Sequence, residues 1–231
     1  MIYIAHRGAP VLARENSLPS FELALKAGLN WFELDVHLSK DGQLIVHHDY
    51  AFTRTAGDNR EIGGLTLEEI KKINICKGTD QPFCFAPTLE QVFGVLPETV
   101  TVNVEIKNER GRYQGIEQAV AAFAKTHRPE RIAVSNQTYP SLIKMREIAP
   151  ELRLGLLADE SDFDAALKTA LAIRAESINM SVKRCTPAMA SRTQEAGMKV
   201  LLYTIRTAKD LAQAASVGAD GVFTDDPYLK L

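Results

Sequence analysis

The sequence predicts an α/β protein whose strands close into one (β/α)8 barrel. Short β-branched runs alternate with helical patterns from one end of the chain to the other, which is typical of βα units around a parallel sheet. The length of 231 residues suits one such barrel. A doubly wound sheet agrees less well, because no glycine-rich phosphate turn follows the first strand and no GxGxxG or P-loop motif is present.

Nine segments have the pattern of strands, one more than the barrel holds, so one of them is expected to lie outside it. The strand candidates are 2–6, 31–36, 44–48, 101–107, 131–135, 153–158, 176–180, 199–205 and 220–224. Helical patterns lie between them, near 18–27, 88–96, 114–126, 138–149, 162–174, 187–196 and 207–216. Ser17 and Pro19 mark the start of the first helix and Gly28 its end, which are the residue types that favour helix termini.

Residues 50–86 interrupt this alternation with only one short helical pattern, near 66–74. Long excursions of this kind are often lids or binding loops, and a solvated insertion without a role is the alternative. We therefore expect one domain over 1–231, with 50–86 as an insertion or lid region within it.

Composition and charge exclude several classes of protein. The formal net charge of −2 provides no basic field for a nucleic-acid backbone. No apolar run approaches the roughly 20 residues that a membrane span needs. The first strand begins at Ile2 and leaves no room for a signal peptide, so we expect a cytoplasmic protein without stable membrane association. Nothing in the sequence specifies an oligomeric state.

The three cysteines, Cys76, Cys84 and Cys185, form no CxxC motif and cannot all pair. Their spacing suggests neither a disulfide framework nor a thiolate zinc site. We expect them to be reduced and structural.

Polar residues end four of the predicted strands. In a parallel barrel the active site lies at the C-terminal ends of the strands, so polar residues there are the candidates for chemistry. The four groups are His6-Arg7, then Glu33 with Asp35, then His47-His48-Asp49, and finally Asn103 with Glu105 and Lys107. Residues two apart lie on the same face of a strand, so Glu33 and Asp35 share one face of their strand. Asn103, Glu105 and Lys107 likewise share one face of theirs.

The three carboxylates Glu33, Asp35 and Glu105 would repel one another in one barrel mouth unless a positive charge lay between them. A hard divalent cation suits oxygen ligands, which indicates Mg²⁺ or Ca²⁺, with Mn²⁺ as a further option. Ion pairs with Arg7 and Lys107 are the alternative explanation.

The direction of the segment 44–48 depends on how residues 37–43 run. A tight hairpin at Asp41-Gly42 would make the strand antiparallel and place His48 at the opposite end from Asp35. An extended crossover would instead bring His48 beside Glu33 and Asp35. We favour the crossover because it brings the polar ends together, although short crossovers are unusual.

Two histidines at neighbouring strand ends, close to clustered carboxylates and cations, are candidates for catalysis. Alternation along the strand places His48 inside and His47 outside. No such carboxylates and cations are expected near His37 and His127, so these two histidines are expected to be structural. A divalent metal with Arg and Lys can hold a phosphoryl group while two imidazoles act as base and acid. This inventory suits cleavage of a phosphodiester, and no serine or cysteine is placed as an activated nucleophile.

These residues together resemble the glycerophosphodiester phosphodiesterase family of metal-dependent TIM-barrel enzymes, whose fold is of the phospholipase-C-like phosphodiesterase type. The resemblance covers nearly the whole chain and implies a small insertion after the third strand. The matching segments, in order, are "HRG" at 6–8, "ENS" at 15–17, "ELDVHLSKDG" at 33–42, "VHHD" at 46–49, "APTLEQV" at 86–92, "NVEIK" at 103–107 and "GADGVFTDDP" at 218–227.

The resemblance implies roles for residues and a reaction. It makes His6 and His48 the acid/base pair, Glu33, Asp35 and Glu105 the metal ligands, and Arg7 and Lys107 the phosphate contacts. The substrate would be a glycerophosphodiester such as glycerophosphocholine or glycerophosphoethanolamine. The glycerol 2-hydroxyl would attack phosphorus, and water would then open the cyclic phosphate to glycerol 3-phosphate.

The chain departs from the family pattern in two places around the expected pocket. "VSNQ" at 134–137 replaces the usual Ser-Phe, and "YTIR" at 203–206 replaces Trp-Thr-Val-Asn, with Tyr203 for the tryptophan and Arg206 for the asparagine. Tyr203 is expected to form a pocket wall or to fill the core, and Arg206 to attract an anionic substituent or to lie solvated in a loop.

Two other functions stay open at this point. A lysophospholipase D-type lipid phosphodiesterase on the same barrel would need an apolar channel, for which Phe52, Phe83 and Phe85 are the candidates. A barrel that binds a phosphodiester or a partner protein without catalysis would not need the intact set of histidines and carboxylates.

Overall fold

The computed structural model describes residues 1–230, apart from the side chain of Glu160. The strands of the described chain are β1 (Ile2–His6), β2 (Trp31–Leu38), β3 (Leu44–Val46), β4 (Thr101–Ile106), β5 (Ile132–Asn136), β6 (Arg153–Ala158), β7 (Ser177–Ser181), β8 (Lys199–Ile205) and β9 (Gly221–Thr224). The α-helices are α1 (Leu18–Lys26), α2 (Thr53–Ala56), α3 (Leu67–Ile70), α4 (Leu89–Val95), α5 (Ile116–Thr126), α6 (Tyr139–Ile148), α7 (Phe163–Ala172), α8 (Pro187–Glu195) and α9 (Ala208–Ser216).

Eight of these strands form a closed parallel barrel, as predicted. The order around it is β1-β9-β8-β7-β6-β5-β4-β2, and the pairing of β1 with β2 closes the ring. All eight contacts between neighbours are parallel. The outer faces of the strands and the helices share one large apolar core. The predicted helix signals act as expected, since Ser17 accepts from the Ser20 amide at the start of α1.

The prediction that residues 44–48 form a parallel strand reached by a crossover is wrong. Strand β3 pairs antiparallel with β2, with Val46 opposite Val36, and is therefore the ninth strand outside the barrel. The turn between them closes as a hairpin: the Ser39 amide donates to the Gln43 carbonyl at 2.9 Å, and Gly42 has φ +79°, which glycine adopts without strain.

His48 nevertheless arrives at the site, for a reason that the sequence argument did not consider. Strand β2 continues three residues beyond Asp35, to Leu38, and β3 returns over the same distance. The His47 amide then donates to the Asp35 carbonyl at 3.1 Å, so the chain is level with Asp35 again when it leaves β3.

The insertion that follows β3 has a small apolar core of its own. Buried side chains from β3, α2 and α3 and the segments around them pack together, and they include Ile45, Phe52, Ile62, Ile70 and Ile75. The insertion is therefore packed, and its role as a lid or binding loop stays a prediction. Burial of this many aliphatic side chains gives the segment a defined shape.

The prediction that all cysteines are reduced is wrong for two of them. Cys76 and Cys84 form a disulfide, with their Cα atoms 5.8 Å apart, while Cys185 is free and buried. The backbone brings them together because the Asn74 side chain accepts from both cysteine amides, and the Ile75 amide donates to the Cys84 carbonyl. Disulfides are rare in cytosolic proteins, and the cytoplasmic location stays a prediction.

None of the helices among the described residues combines the length and the apolar character needed to cross a bilayer.

Candidate active site

A cavity of about 270 Å³ lies at the C-terminal ends of the barrel strands. Beneath it, Ile4 shares the face of β1 that carries His6 and packs with Leu201 and Phe223, so the inside of the barrel is filled below the cavity. The residues predicted from the sequence that line it are His6, Arg7, Glu33, His48, Glu105 and Lys107.

The loop after β1 turns sharply to place His6 and Arg7 at the mouth. Arg7 and Gly8 both have positive φ, at +58° and +89°. A Cβ atom on Gly8 would lie 2.4 Å from the Ser20 hydroxyl oxygen, so only glycine fits there. Ser20 ties this loop to α1, because its hydroxyl donates to the Arg7 carbonyl and accepts from the Ala9 amide at 2.7 Å.

The three predicted carboxylates converge. Glu33, Asp35 and Glu105 offer oxygen atoms that all lie within 4.8 Å of one another. Neighbouring strands produce this arrangement, since Asp35 on β2 pairs in register with Glu105 on β4. Glu33 Oε1 and Asp35 Oδ1 are buried and accept no hydrogen bond from any described residue. Buried oxygen atoms of this kind require a partner, and a hard divalent cation fits the donor set.

Cations also contact these carboxylates, as the alternative explanation drawn from the sequence expects. Arg7 Nε lies 3.2 Å from Asp35 Oδ2. Lys107 Nζ lies 2.9 Å from Glu105 Oε1 and 3.7 Å from Asp35 Oδ1. The Asn16 side chain, from the "ENS" motif, donates to Asp35 Oδ2 at 2.8 Å.

The pKa values of Asp35 and Glu33 shift in opposite directions within the cluster. Burial raises the pKa of Asp35, but the charges of Arg7 and Lys107 outweigh burial and hold it well below its usual range. Burial, with repulsion from Asp35 and Glu105, raises the pKa of Glu33 well above its usual range. The charged form of Glu33 is thus disfavoured beside the other carboxylates, and a further positive charge would stabilise it.

His6 is held by an aspartate that sequence reasoning did not select. Its Nδ1 lies 2.6 Å from Asp225 Oδ1, and its Nε2 lies 4.0 Å from Glu33 Oε2. Arg206 Nε donates to the other oxygen of Asp225 at 2.7 Å. Burial raises the pKa of Asp225, while the bonds to His6 and Arg206 lower it below its ordinary value. The motif "TDDP" at the end of β9 contains Asp225 and is the sequence signal that could have identified it.

His48 has the same kind of support from the other side of the cavity. Its Nδ1 lies 2.7 Å from Asp49 Oδ1, and Arg54 Nε donates to Asp49 Oδ2 at 2.7 Å. Arg54 also makes a bidentate salt bridge to Glu15, with hydrogen bonds of 2.7 and 3.0 Å, and Glu15 accepts from Arg7 at 3.1 Å. A chain of alternating charges thus connects His48 to Arg7 through the insertion.

The remaining histidines are not among the residues that line the cavity. His37 is buried between Tyr113 and the His48 carbonyl, and burial lowers its pKa to about 3. His47 contacts Thr55, and His127 pairs with Glu90 at the surface. His37 therefore supports the backbone of His48 through its contact with the His48 carbonyl.

Several positions in the two segments that depart from the family pattern line the cavity wall. Ser135, Gln137 and Tyr203 all border it. Ser135 accepts from the Asn103 side chain at 2.8 Å. Burial, with the nearby charge of Glu105, raises the pKa of Tyr203 to about 12, so its hydroxyl is a neutral donor at this wall.

The chain is similar in sequence to known phosphodiester-cleaving enzymes. A glycerophosphodiester phosphodiesterase from Caldanaerobacter subterraneus is 32% identical over 98% of this chain and 94% of its own length. A human lysophospholipase D is 25% identical over 97% of this chain and 83% of its own.

Among solved structures, an Oleispira antarctica phosphodiesterase in complex with sn-glycerol-3-phosphate superposes with a TM-score of 0.89 at 27% identity, covering 98% of this chain and 94% of that one. The model of the glycerophosphoryl diester phosphodiesterase family matches residues 6–229. The chain belongs to the glycerophosphoryl diester phosphodiesterase family.

Proposed function

We propose that this protein hydrolyses glycerophosphodiesters, such as glycerophosphocholine or glycerophosphoethanolamine, to glycerol 3-phosphate and an alcohol in a metal-dependent reaction. The observation that carries the proposal is one cavity bordered by the acidic cluster and by two histidines, each held at Nδ1 by an aspartate. The similarity to a phosphodiesterase solved with glycerol 3-phosphate supports the same substrate class.

Each group has a task in this proposal. Glu33, Asp35 and Glu105 would hold one divalent ion, Mg²⁺ or Ca²⁺ with Mn²⁺ as a further option, which would stabilise negative charge on the phosphoryl oxygens. Arg7 and Lys107 border the same cavity and contact the phosphoryl group from the protein side. Because Nδ1 of each histidine faces an aspartate, Nε2 is the nitrogen that faces substrate.

The reaction then proceeds in two displacements at phosphorus. In the first, the glycerol 2-hydroxyl oxygen bonds to phosphorus and the bond from phosphorus to the alcohol oxygen breaks. One of His6 and His48 takes the hydroxyl proton, and the other gives a proton to the leaving alcohol. In the second, water attacks the cyclic phosphate, the bond to the glycerol 2-oxygen breaks, and the two histidines exchange roles.

The experiment is release of glycerol 3-phosphate from glycerophosphocholine by metal-stripped protein, with Mg²⁺, Ca²⁺ or Mn²⁺ added back. We expect release to depend on added metal. Binding of glycerophosphocholine without turnover under every metal, in folded protein, would overturn the proposal and favour a barrel that binds without catalysis.

Substitutions in the site test the individual roles. His6→Ala and His48→Ala should each lower turnover by roughly 10²-fold or more, because positioned acid/base groups contribute about 10²–10⁴. Glu105→Ala should raise the metal concentration needed for half-maximal activity. An unchanged rate in either histidine variant, or an unchanged metal titration, would remove that residue from its role.

A lysophospholipase D-type activity is the second candidate, because apolar side chains are exposed near the mouth. Val11 and Leu12 lie in the loop after β1, and Phe83 lies in the insertion, 41 to 58% exposed. The Arg14 amide donates to Gln81 at 2.8 Å, which joins these two segments. Of the other candidates, Phe52 is fully buried in the core of the insertion and Phe85 is half-buried.

Hydrolysis of lysophosphatidylcholine tests this second candidate. A rate similar to that on glycerophosphocholine, lowered by Phe83→Ser while the rate on glycerophosphocholine is kept, would favour it. Absence of any hydrolysis of lysolipids would eliminate it.

A further inference from the structure

A second cavity, of about 650 Å³, lies beside the active-site cavity at the same end of the barrel. The loop after β7, the loop between β8 and α9, and the first turns of α9 line it. Thr204 lines both cavities, so they adjoin at the end of β8. Three cations, Lys183, Arg206 and Lys209, line this second cavity, which we call the basic cavity.

The protein cancels only part of the positive charge of the basic cavity. Lys183 and Lys209 are exposed, and neither makes an ion pair with a residue that the structure describes. The acidic residue in the lining is Asp210, whose carboxylate accepts from Thr207 and from the Arg206 amide at the start of α9. Three cations against one carboxylate leave the lining positive.

Arg206 connects the basic cavity to the reacting groups. Its Nε donates to Asp225 Oδ2 at 2.7 Å, while Asp225 Oδ1 lies 2.6 Å from His6. The side chain of Arg206 stays 66% exposed, so its outer nitrogen atoms face the cavity and the solvent. Even with Asp225 included, which shares its charge with His6, the cations outnumber the carboxylates.

The shared wall indicates which part of a substrate lies near the basic cavity. With the phosphoryl group of a glycerophosphodiester between the histidines, its alcohol extends toward one wall of the active-site cavity. An alcohol that extends toward Thr204 comes close to the basic cavity, because Thr204 lines both cavities.

We propose that the basic cavity binds a negatively charged group on the leaving alcohol, so that glycerophosphodiesters of anionic alcohols are the preferred substrates. The inference rests on the proposed function, because it concerns the alcohol side of the same substrate. The charged group is a carboxylate or a phosphate, which share the chemistry that Lys183, Arg206 and Lys209 recognise.

Matched substrate pairs test the proposal. Glycerophosphoserine and glycerophosphoethanolamine differ by one carboxylate, and glycerophosphoglycerol and its terminal phosphate monoester differ by one phosphate. The measurement is kcat/KM for cleavage of the phosphodiester in each, in the wild type and in the double variant Lys183→Ser with Lys209→Ser. Arg206 is left intact because it holds Asp225. The matched control is Lys125→Ser with Lys168→Ser, two exposed lysines on the outer helices α5 and α7.

The expected result is a preference for the anionic member of at least one pair, and the pair that shows it identifies the group. The preference should fall at least about threefold in the double variant, because two exposed charge contacts are lost, and should weaken as salt is added. The control should keep it.

Equal kcat/KM within both pairs, or a preference that survives the double variant, would overturn the inference while the proposed function stands. Failure to hydrolyse any of the four substrates with metal present would instead overturn the proposed function.

Discussion

At the scale of single residues, the two candidate acid/base groups have the same local support in different surroundings. The side chains of His6 and Asp225 are 11 and 13% exposed, whereas those of His48 and Asp49 are 33 and 30% exposed. In both pairs an arginine binds the second oxygen of the aspartate. The aspartate therefore keeps its charge and its orientation, and it determines which ring nitrogen faces the cavity.

Asp225→Asn should lower kcat by roughly 10²-fold with little effect on KM. The asparagine keeps the shape, but it removes the charge that stabilises protonated His6 and allows the wrong tautomer. Steady-state kinetics over a pH series checks this, since the change should also alter the pH profile of kcat. The neighbouring Asp226→Asn is the matched control, because Asp226 accepts from the Tyr228 amide and does not contact His6. Wild-type kcat in Asp225→Asn would contradict a positioning role.

At the scale of elements, the insertion contributes to the site through one short helix. Arg54 on α2 contacts both Asp49 and Glu15, and Glu15 contacts Arg7. The small apolar core beneath α2 holds that helix in place. The segment that interrupted the βα alternation thus carries a residue that supports His48.

Arg54→Ala should lower kcat/KM by about tenfold or more without unfolding the protein. Loss of the guanidinium leaves Asp49 and Glu15 without their shared cation, so His48 and Arg7 lose orientation. Arg60→Ala is the control, since Arg60 lies in the same insertion and, among the described residues, forms an ion pair with Asp58 alone. Equal losses in both variants would indicate a general effect of charge on the insertion rather than support of His48.

At the scale of the whole molecule, buried polar anchors connect the outer ring of helices to the barrel loops. Glu117 on α5 accepts from Asn108, from Ser141 on α6 at 2.6 Å, and from Lys144 at 3.0 Å. Burial raises the pKa of Glu117, but these three bonds outweigh burial and lower it below its usual 4.5. The ionised form is therefore the one that the fold stabilises.

Glu117→Gln should reduce the free energy of unfolding by about 1–3 kcal/mol at pH 7, as expected for bonds to a buried charge. The unfolded chain binds a proton at Glu117 more tightly than the folded protein does. The stabilisation is thus complete above the unfolded pKa and is lost as the pH falls through the folded pKa. Urea unfolding at pH 7 and pH 3 should show the two proteins converging at low pH. Glu22→Gln, on the exposed face of α1, is the control, and a constant difference at both pH values would contradict the prediction.

Much of the fold could be predicted from the sequence because it depends on local periodicity. The alternation of strands and helices, the cap at Ser17, and the barrel itself follow from short-range patterns. Most of the predicted residues that line the cavity could be named because parallel strands bring their C-terminal ends to one rim. His48 is the exception, because it follows the antiparallel strand β3. Family membership followed from the order of those motifs.

Only the tertiary structure decided what depends on contacts between distant segments. The direction of β3 depends on how far β2 extends beyond Asp35, which periodicity does not reveal. The disulfide of Cys76 and Cys84 depends on the turn around Asn74. Asp225 and His6 are 219 residues apart, and their contact exists because the last strand closes the barrel against the first. Strand ends reveal which polar groups reach the rim, but the closed barrel determines which of them touch.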